Sequence, residues 1–357
     1  MEPVTHFLTG ACLGRSGFNR KTAYATLAMT LAAEAPDLDI FWGFRGPVTG
    51  FEHHRGITHT LVAAPVIALV TTGVVWLVHR WRRKPPVIAP RWFLIWLFAL
   101  LADLSHLLLD FTNNYGLRPF FPFNSHWYAW SIVFIFDPLI FLALLSAFVM
   151  PWLLGLADRE IGVKKKPFRG RGWAIAALSF IVVWWGIRSA EHAHAVELAT
   201  NSNLSNEPVL RVAAQPHILS PFAWHILLET KDYYQTAEVR TLGDQIHSDS
   251  YSDTVYKPPV TAAVMAAKQS YLGRAYLDWS SWPLVADRGT MTVPGADIPP
   301  PQPGWHTVEF QDLRFDYPAM SLSGTRSPNQ AGPLSAWVYI GPGNEVEGMF
   351  MSGRDQP

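Results

Sequence analysis

Apolar residues run almost unbroken through residues 60–79, 92–109 and 131–156. A helix that crosses the hydrocarbon core of a bilayer needs about 20 of them. A fourth run, residues 173–187, is shorter, but it is rich in Trp, Ile and Val and its flanks can complete a span. The pattern therefore predicts four transmembrane helices. Ahead of them lie two shorter apolar runs, residues 4–13 and 23–35, parted by Gly14-Arg15-Ser16-Gly17-Phe18-Asn19-Arg20-Lys21. Each is too short to span comfortably, which predicts a re-entrant helical hairpin with a basic tip. Beyond about Arg188, Asn, Ser, Asp, Pro and Tyr take over. There, short β-rich runs at residues 223–230, 237–242, 307–317 and 336–340 are divided by Pro and Gly clusters, with a helical stretch at 262–277 between them. The expected architecture is an α-helical polytopic membrane domain over residues 1–188, followed by a small α+β domain over residues 189–357. No internal repeat is visible.

Charge orients this arrangement. His79-Arg80-Trp81-Arg82-Arg83-Lys84 separates the first two spans, and Lys164, Lys165, Lys166, Arg169 and Arg171 separate the last two. The positive-inside rule makes both loops cytoplasmic, so the α+β domain is expected outside the cytoplasm, on a bacterial inner-membrane protein. Net charge is zero and no basic groove with interleaved aromatics occurs, which argues against nucleic acid as a partner. Cys12 is the sole cysteine, so any metal must be held by nitrogen and oxygen. The N-terminus shows no basic region followed by an apolar core of the cleavable kind, so export is expected to rely on the spans themselves.

Chemistry concentrates where the spans end. Within Ala102-Asp103-Leu104-Ser105-His106-Leu107-Leu108-Leu109-Asp110, helical geometry puts Asp103, His106 and Asp110 on one narrow face. An ionised side chain deep in a bilayer costs about 2.5–3.5 kcal/mol on insertion scales, so three such residues need a partner, a wet cavity or a cation. A buried polar network linking two spans is the plain reading, and a His–Asp pair one turn apart chelating Zn²⁺, Mn²⁺ or Mg²⁺ is the chemical one. Other segments favour the second. Phe51-Glu52-His53-His54-Arg55-Gly56-Ile57-Thr58-His59-Thr60 sets imidazoles and an Arg at the outer boundary of the first span, and Glu34-Ala35-Pro36-Asp37-Leu38-Asp39 closes the hairpin that His6 opens. All of these map to the outer side.

These motifs resemble a known family, the bacterial membrane-bound, metal-dependent hydrolases described as LexA-regulated, or YdjM-like. The residues that carry the resemblance are Thr5-His6, Pro36-Asp37-Leu38-Asp39, His54-Arg55-Gly56-Ile57-Thr58-His59-Thr60, Ser105-His106-Leu107-Leu108-Leu109-Asp110, and Asn114-Tyr115-Gly116 through Pro122-Phe123. They cover roughly residues 1–150, in order, and Pro221-Phe222-Ala223-Trp224 is similar to the longer members. A narrower likeness, carried by His106 and Asp110 alone, is to the zinc-dependent phospholipases C and single-strand nucleases. The family resemblance implies a metal-dependent hydrolase without fixing its substrate; the expected chemistry is attack by metal-activated water on a small molecule, a phosphoester, as the narrower likeness suggests, or a lipid-linked substrate. The expected ligands are His6, Asp37, Asp39, His54, His59, His106 and Asp110, around zinc, with manganese or magnesium as alternatives. Asp103 and Arg55 are the expected catalytic residues, Asp103 as a further ligand or an imidazole-orienting carboxylate, Arg55 on an anionic substrate oxygen. Arg118 is a second candidate for that oxygen, and Asp137 is read as a helix cap.

A cation or proton transporter is the alternative from another class. It would spread its ionisable residues over several depths, whereas these crowd one boundary. A structural anchor leaves the clustering unexplained, and a serine hydrolase lacks the Gly-x-Ser-x-Gly turn. His79, His192, His194, His217, His225, His247 and His306 read as ordinary solvated or core histidines.

Overall fold

Two glycines set the first packing event of the chain. Helix α1 (Pro3–Arg15) lies against α2 (Ala25–Glu34) so closely that a Cβ on Gly10 would meet the Met29 carbonyl oxygen at 2.4 Å, and one on Gly14 would meet Thr26 Cα at 2.5 Å. Only glycine fits such a seam, as at small-residue interfaces between membrane helices. The computed structural model describes residues 1–160, 170–249, 252–295, 298–316 and 334–357. The basic residues Lys164, Lys165, Lys166 and Arg169, and Tyr317 at the expected end of a strand, lie outside the described residues. The chain divides into two units, Met1–Leu38 with Arg55–Ala190, and Asp39–His54 with Glu191–Pro357. Helix α3 (Pro47–His53) thus belongs to the second unit.

Among the described residues, four helices are long and apolar enough to cross a membrane: α4 (Ala64–Trp81), α5 (Trp92–Thr112) and α6 (Pro138–Glu160) in the first unit, and α7 (Arg171–Thr200), whose residues up to Ala190 belong to the first unit and the rest to the second. Helix α4 starts four residues into its apolar run because Thr60 is extended (φ −117°, ψ 151°) and residues 61–63 turn before the helix begins. Small side chains let the helices approach: Ala25, Met29, Ala32 and Ala33 of α2 meet Phe98, Ala99 and Ala102 of α5. Lipid tails are as apolar as these side chains, so close packing is what holds the helices together. A second cluster joins Leu8 and Cys12 of α1 to Leu109, Ile140, Leu144, Ala177 and Trp184. On α4, Val66, Leu69 and Val70 are turned outward, as a lipid-facing surface requires.

The second unit is built on antiparallel sheets. One orders β1 (Arg211–Pro216), β2 (Ala223–Glu229), β3 (Tyr233–Arg240) and β4 (Gln245–His247), with β5 (Thr254–Tyr256) also on β3. Strand β2 is buried on both faces. Trp224, Ile226 and Leu228 pack with Ala195 and Ala199 of α7, while Leu227 joins Tyr234, Trp282 and Leu284. The helical stretch resolves into α8 (Ala262–Gln269) and α9 (Tyr271–Trp279), parted at Ser270, whose side chain accepts from Gly273 N and caps α9. The other sheet runs β6 (Pro283–Asp287), β7 (His306–Asp312), β8 (Ala336–Ile340), β9 (Val346–Met351) and β10 (Arg354–Asp355) as neighbours in that order. Segment 39–54 docks on this unit. Val48 N and Thr49 N donate to the Gln356 side chain, and Phe51 stacks on Tyr276.

Candidate metal centre

Helix α5 is apolar except along the stripe that carries Asp103, His106 and Asp110, and all three are fully buried. His106 Nδ1 lies 2.7 Å from the Ala33 carbonyl at the end of α2. A carbonyl only accepts, so Nδ1 carries the proton and Nε2 presents its lone pair. His59, delivered by the Ile57–His59 turn, brings its own Nε2 to 3.0 Å from that of His106. Where α2 ends, the Pro36–Arg45 3-10 helix begins and supplies Asp37, whose Oδ1 stands 3.4 Å from His59 Nε2 and 3.7 Å from His106 Nε2. Asp110 Oδ2 is 3.4 Å from each imidazole nitrogen.

These four donor atoms lie within 4.8 Å of one another, and they form the one metal-capable group among the described residues. Bonds of about 2.0–2.1 Å in a tetrahedral zinc site place neighbouring donors about 3.3 Å apart. The five separations that involve an imidazole nitrogen, 3.0 to 3.7 Å, match that spacing. Asp37 Oδ2 and Asp110 Oδ2 are buried with no hydrogen-bond partner. Leaving such oxygens unsatisfied is costly, and a cation would satisfy them. The donor set is therefore that of a hard or borderline divalent ion.

The other oxygen of Asp110 is already held. Arg55 Nη2 donates to Oδ1 at 2.7 Å, and the Met1 amino group also contacts that oxygen. Arg55 is itself pinned: Nη1 donates to Asn113 Oδ1 (3.1 Å) and to the Gly116 carbonyl (2.9 Å), and its guanidinium covers the Tyr115 ring. Its backbone is left-handed, φ 54°. Arg55 thus positions a carboxylate rather than projecting freely. His6 stacks on His106 with ring centroids 3.7 Å apart, and its Nδ1 is buried without a partner. Burial first, and then the repulsion that a protonated His106 would add, holds the His6 imidazole well below its usual value, in the neutral form that ligation requires. Burial alone would raise the Asp37 carboxyl. The hydrogen bond from His59 and the imidazoles of His59 and His106 beside it outweigh burial and hold the Asp37 carboxyl below its usual value.

The remaining expected residues are placed elsewhere. Asp103, one turn before His106, makes no hydrogen bond through either oxygen. Asp39 and His54 pair with each other at 3.1 Å in the second unit and are not members of the four-donor group. The Arg118 guanidinium lies over the Trp127 ring (4.6 Å) and the Phe121 ring (5.1 Å). Asp137 caps α6 through Leu139 N and Ile140 N and accepts from Trp184 Nε1. Among the histidines of ordinary role, His192 packs edge-on against Trp224 and His194 pairs with Asp244. His217 and His225 share Glu238. Reading the sequence alone passed over the Ala33 carbonyl, Asn113 and the Gly116 carbonyl. Asn113 stood three residues beyond Asp110, a readable signal, whereas a backbone carbonyl has none.

Part of the chain has a curated relative. Over 163 residues it is 28% identical to the uncharacterized protein YfhP of Bacillus subtilis (strain 168), which covers 43% of this chain and 47% of that protein. The chain thus spans about half the length of the relative it matches. No solved structure matches it. The model of one family, described as YdjM inner membrane protein, matches residues 1–195, more than half of the 357, and the chain belongs to that family.

Proposed function

We propose that this membrane protein is a metal-dependent hydrolase acting on a phosphoester or lipid-linked substrate, with zinc as the favoured ion and manganese or magnesium as alternatives. The observation that carries the reading is the buried quartet of Asp37, His59, His106 and Asp110, spaced as donors to one ion. A divalent cation held by these four residues would supply an acidified water and polarise the scissile bond. The chain's own residues hold and orient that chemistry. His106 is fixed in its tautomer by the Ala33 carbonyl, and Asp110 is fixed by Arg55. Asp37 is the one donor of the four that reaches solvent, at 15% exposure, so it marks the side from which water and substrate approach. His6 and Asp103 are assigned to the site as supporting groups. Asp39 and His54 take no part in this reading.

The arrangement favours an enzyme over a transporter because the donors sit together at span ends. Asp110 is two residues from the end of α5, and His59 comes five residues before α4. The basic loop after α4 supports an extracytoplasmic second unit. The test is hydrolysis of phosphomonoester, phosphodiester and phospholipid substrates by purified, zinc-loaded protein. Turnover that disappears in His59→Ala and Asp110→Asn supports the reading. Metal-loaded wild type that turns over none of them, or variants as active as wild type, would refute it.

A further inference from the structure

The ten residues that follow α2 carry their polarity inside out. In the Pro36–Arg45 3-10 helix, Asp39 is buried and paired with His54, whereas Leu38, Ile40, Phe41 and Phe44 face outward with 58%, 70%, 58% and 87% of their surface exposed. Phe41 and Phe44 stack on one another, Trp42 stacks on His53, and the Arg45 guanidinium covers the Trp42 ring. The segment's end is tied within its unit, where Gln356 Nε2 donates to the Arg45 carbonyl (3.2 Å), and the α3 helix that follows is fixed through Val48 and Phe51. The outward apolar face is thus held in place, and it is not a frayed loop. A contiguous aromatic patch of this kind on a water-facing surface marks an interaction site.

Chain continuity identifies the partner. Asp37 belongs to the group formed with His59, just ahead of α4, and Asp110, at the end of α5, so it stands at the level where two spans leave the bilayer. A 3-10 helix rises about 2 Å per residue, so Ile40 and Phe41 lie about 6–8 Å along the axis from Asp37. That distance falls within the headgroup and upper acyl region that interfacial amphipathic segments occupy. Around the same span ends, Ile57, Leu61, Val62 and Phe123 of the first unit are also exposed. We infer that Pro36–Arg45 is an interfacial membrane segment, with Leu38, Ile40, Phe41 and Phe44 seated in the leaflet that α4 and α5 open onto and Arg45 at its anionic headgroups. The assignment is independent of metal binding and goes beyond the hydrolase reading.

Cys12 is buried and is the sole cysteine, so Cys12→Ser gives a background for single labels. Nitroxides placed by Phe44→Cys and Ile40→Cys in the full chain, reconstituted into phosphatidylethanolamine–phosphatidylglycerol vesicles, are read by collision with oxygen and with a water-soluble nickel chelate. Leu69→Cys, outward on α4, is the lipid reference, and Glu347→Cys, exposed on β9, is the water reference. Both test labels should show the oxygen-over-nickel preference of Leu69→Cys. Accessibility matching Glu347→Cys would overturn the inference. So would shielding from both reagents, which would mean that a protein surface, such as a second copy of the chain, covers the patch.

Discussion

Replacing Gly10 by alanine tests whether the α1–α2 seam sets the geometry of the metal-capable quartet. The added methyl would lie 2.4 Å from the Met29 carbonyl oxygen, 2.7 Å from Ala33 Cβ and 2.9 Å from Thr30 Cα. None of these atoms is the end of a flexible side chain. Restoring ordinary contact near 3.5 Å moves the helices apart by about 1 Å. Overpacking of this kind costs about 1–3 kcal/mol, and rigid neighbours put this case at the upper end. Alanine recovers about 1 kcal/mol of helix propensity, leaving a net loss of about 2 kcal/mol. The strain falls on the site, because Ala33 offers the carbonyl that orients His106 and α1 carries His6. Ligand positions are tolerated only to about 0.2 Å, so a shift of about 1 Å weakens ion binding as well. Thermal unfolding and metal content of the purified protein are the assays. Gly73→Ala is the control, since nothing stands within 4 Å of a Cβ there, and it should unfold at or above the wild-type temperature. A Gly10→Ala protein as stable and as metal-rich as wild type would refute the reasoning.

Three further outcomes are expected. Arg55→Lys keeps the charge but cannot reach Asp110, Asn113 and the Gly116 carbonyl together, so metal affinity measured by chelator competition should fall about 10–100-fold; unchanged affinity would remove Arg55 from the support of Asp110. In the second unit, burial raises the Glu238 carboxyl, but hydrogen bonds from His217 and His225 bring it down to about 2. A depressed carboxyl contributes stability above its unfolded value near 4.5 that is lost as pH falls toward 2, so acid unfolding in that window should be shallower in Glu238→Gln. Finally, a reporter active only in the cytoplasm, fused after Arg188, should be silent; a strong signal would reverse the orientation drawn from the basic loops.

How far the sequence could be read depends on the physical signal each feature carries. The spans were legible because an uninterrupted apolar run of about 20 residues matches the thickness of a bilayer core and is rare in water-soluble chains. The helix period alone put Asp103, His106 and Asp110 on one buried face of α5. Choosing between neighbours was harder. Asp37 and Asp39 are two residues apart, and only the 3-10 helix directs the first toward His59 and the second toward His54. In the second unit, β2, β7 and β8 showed as apolar runs, but β4, β5 and β10 are two or three residues long, below what periodicity can mark. The Gly10–Gly14 seam was not read from the sequence, because two glycines four residues apart show a close approach only once α2 is packed against them.

The central claim is that Asp37, His59, His106 and Asp110 hold one divalent ion. Elemental analysis of the purified protein, wild type beside Asp110→Asn, tests it most directly, because asparagine keeps the shape and much of the hydrogen bonding but not the anionic donor. Folded, membrane-inserted Asp110→Asn with depleted metal, beside wild type carrying a stoichiometric divalent ion, is the predicted result. Wild type without metal after loading, or Asp110→Asn with its full complement, would contradict it.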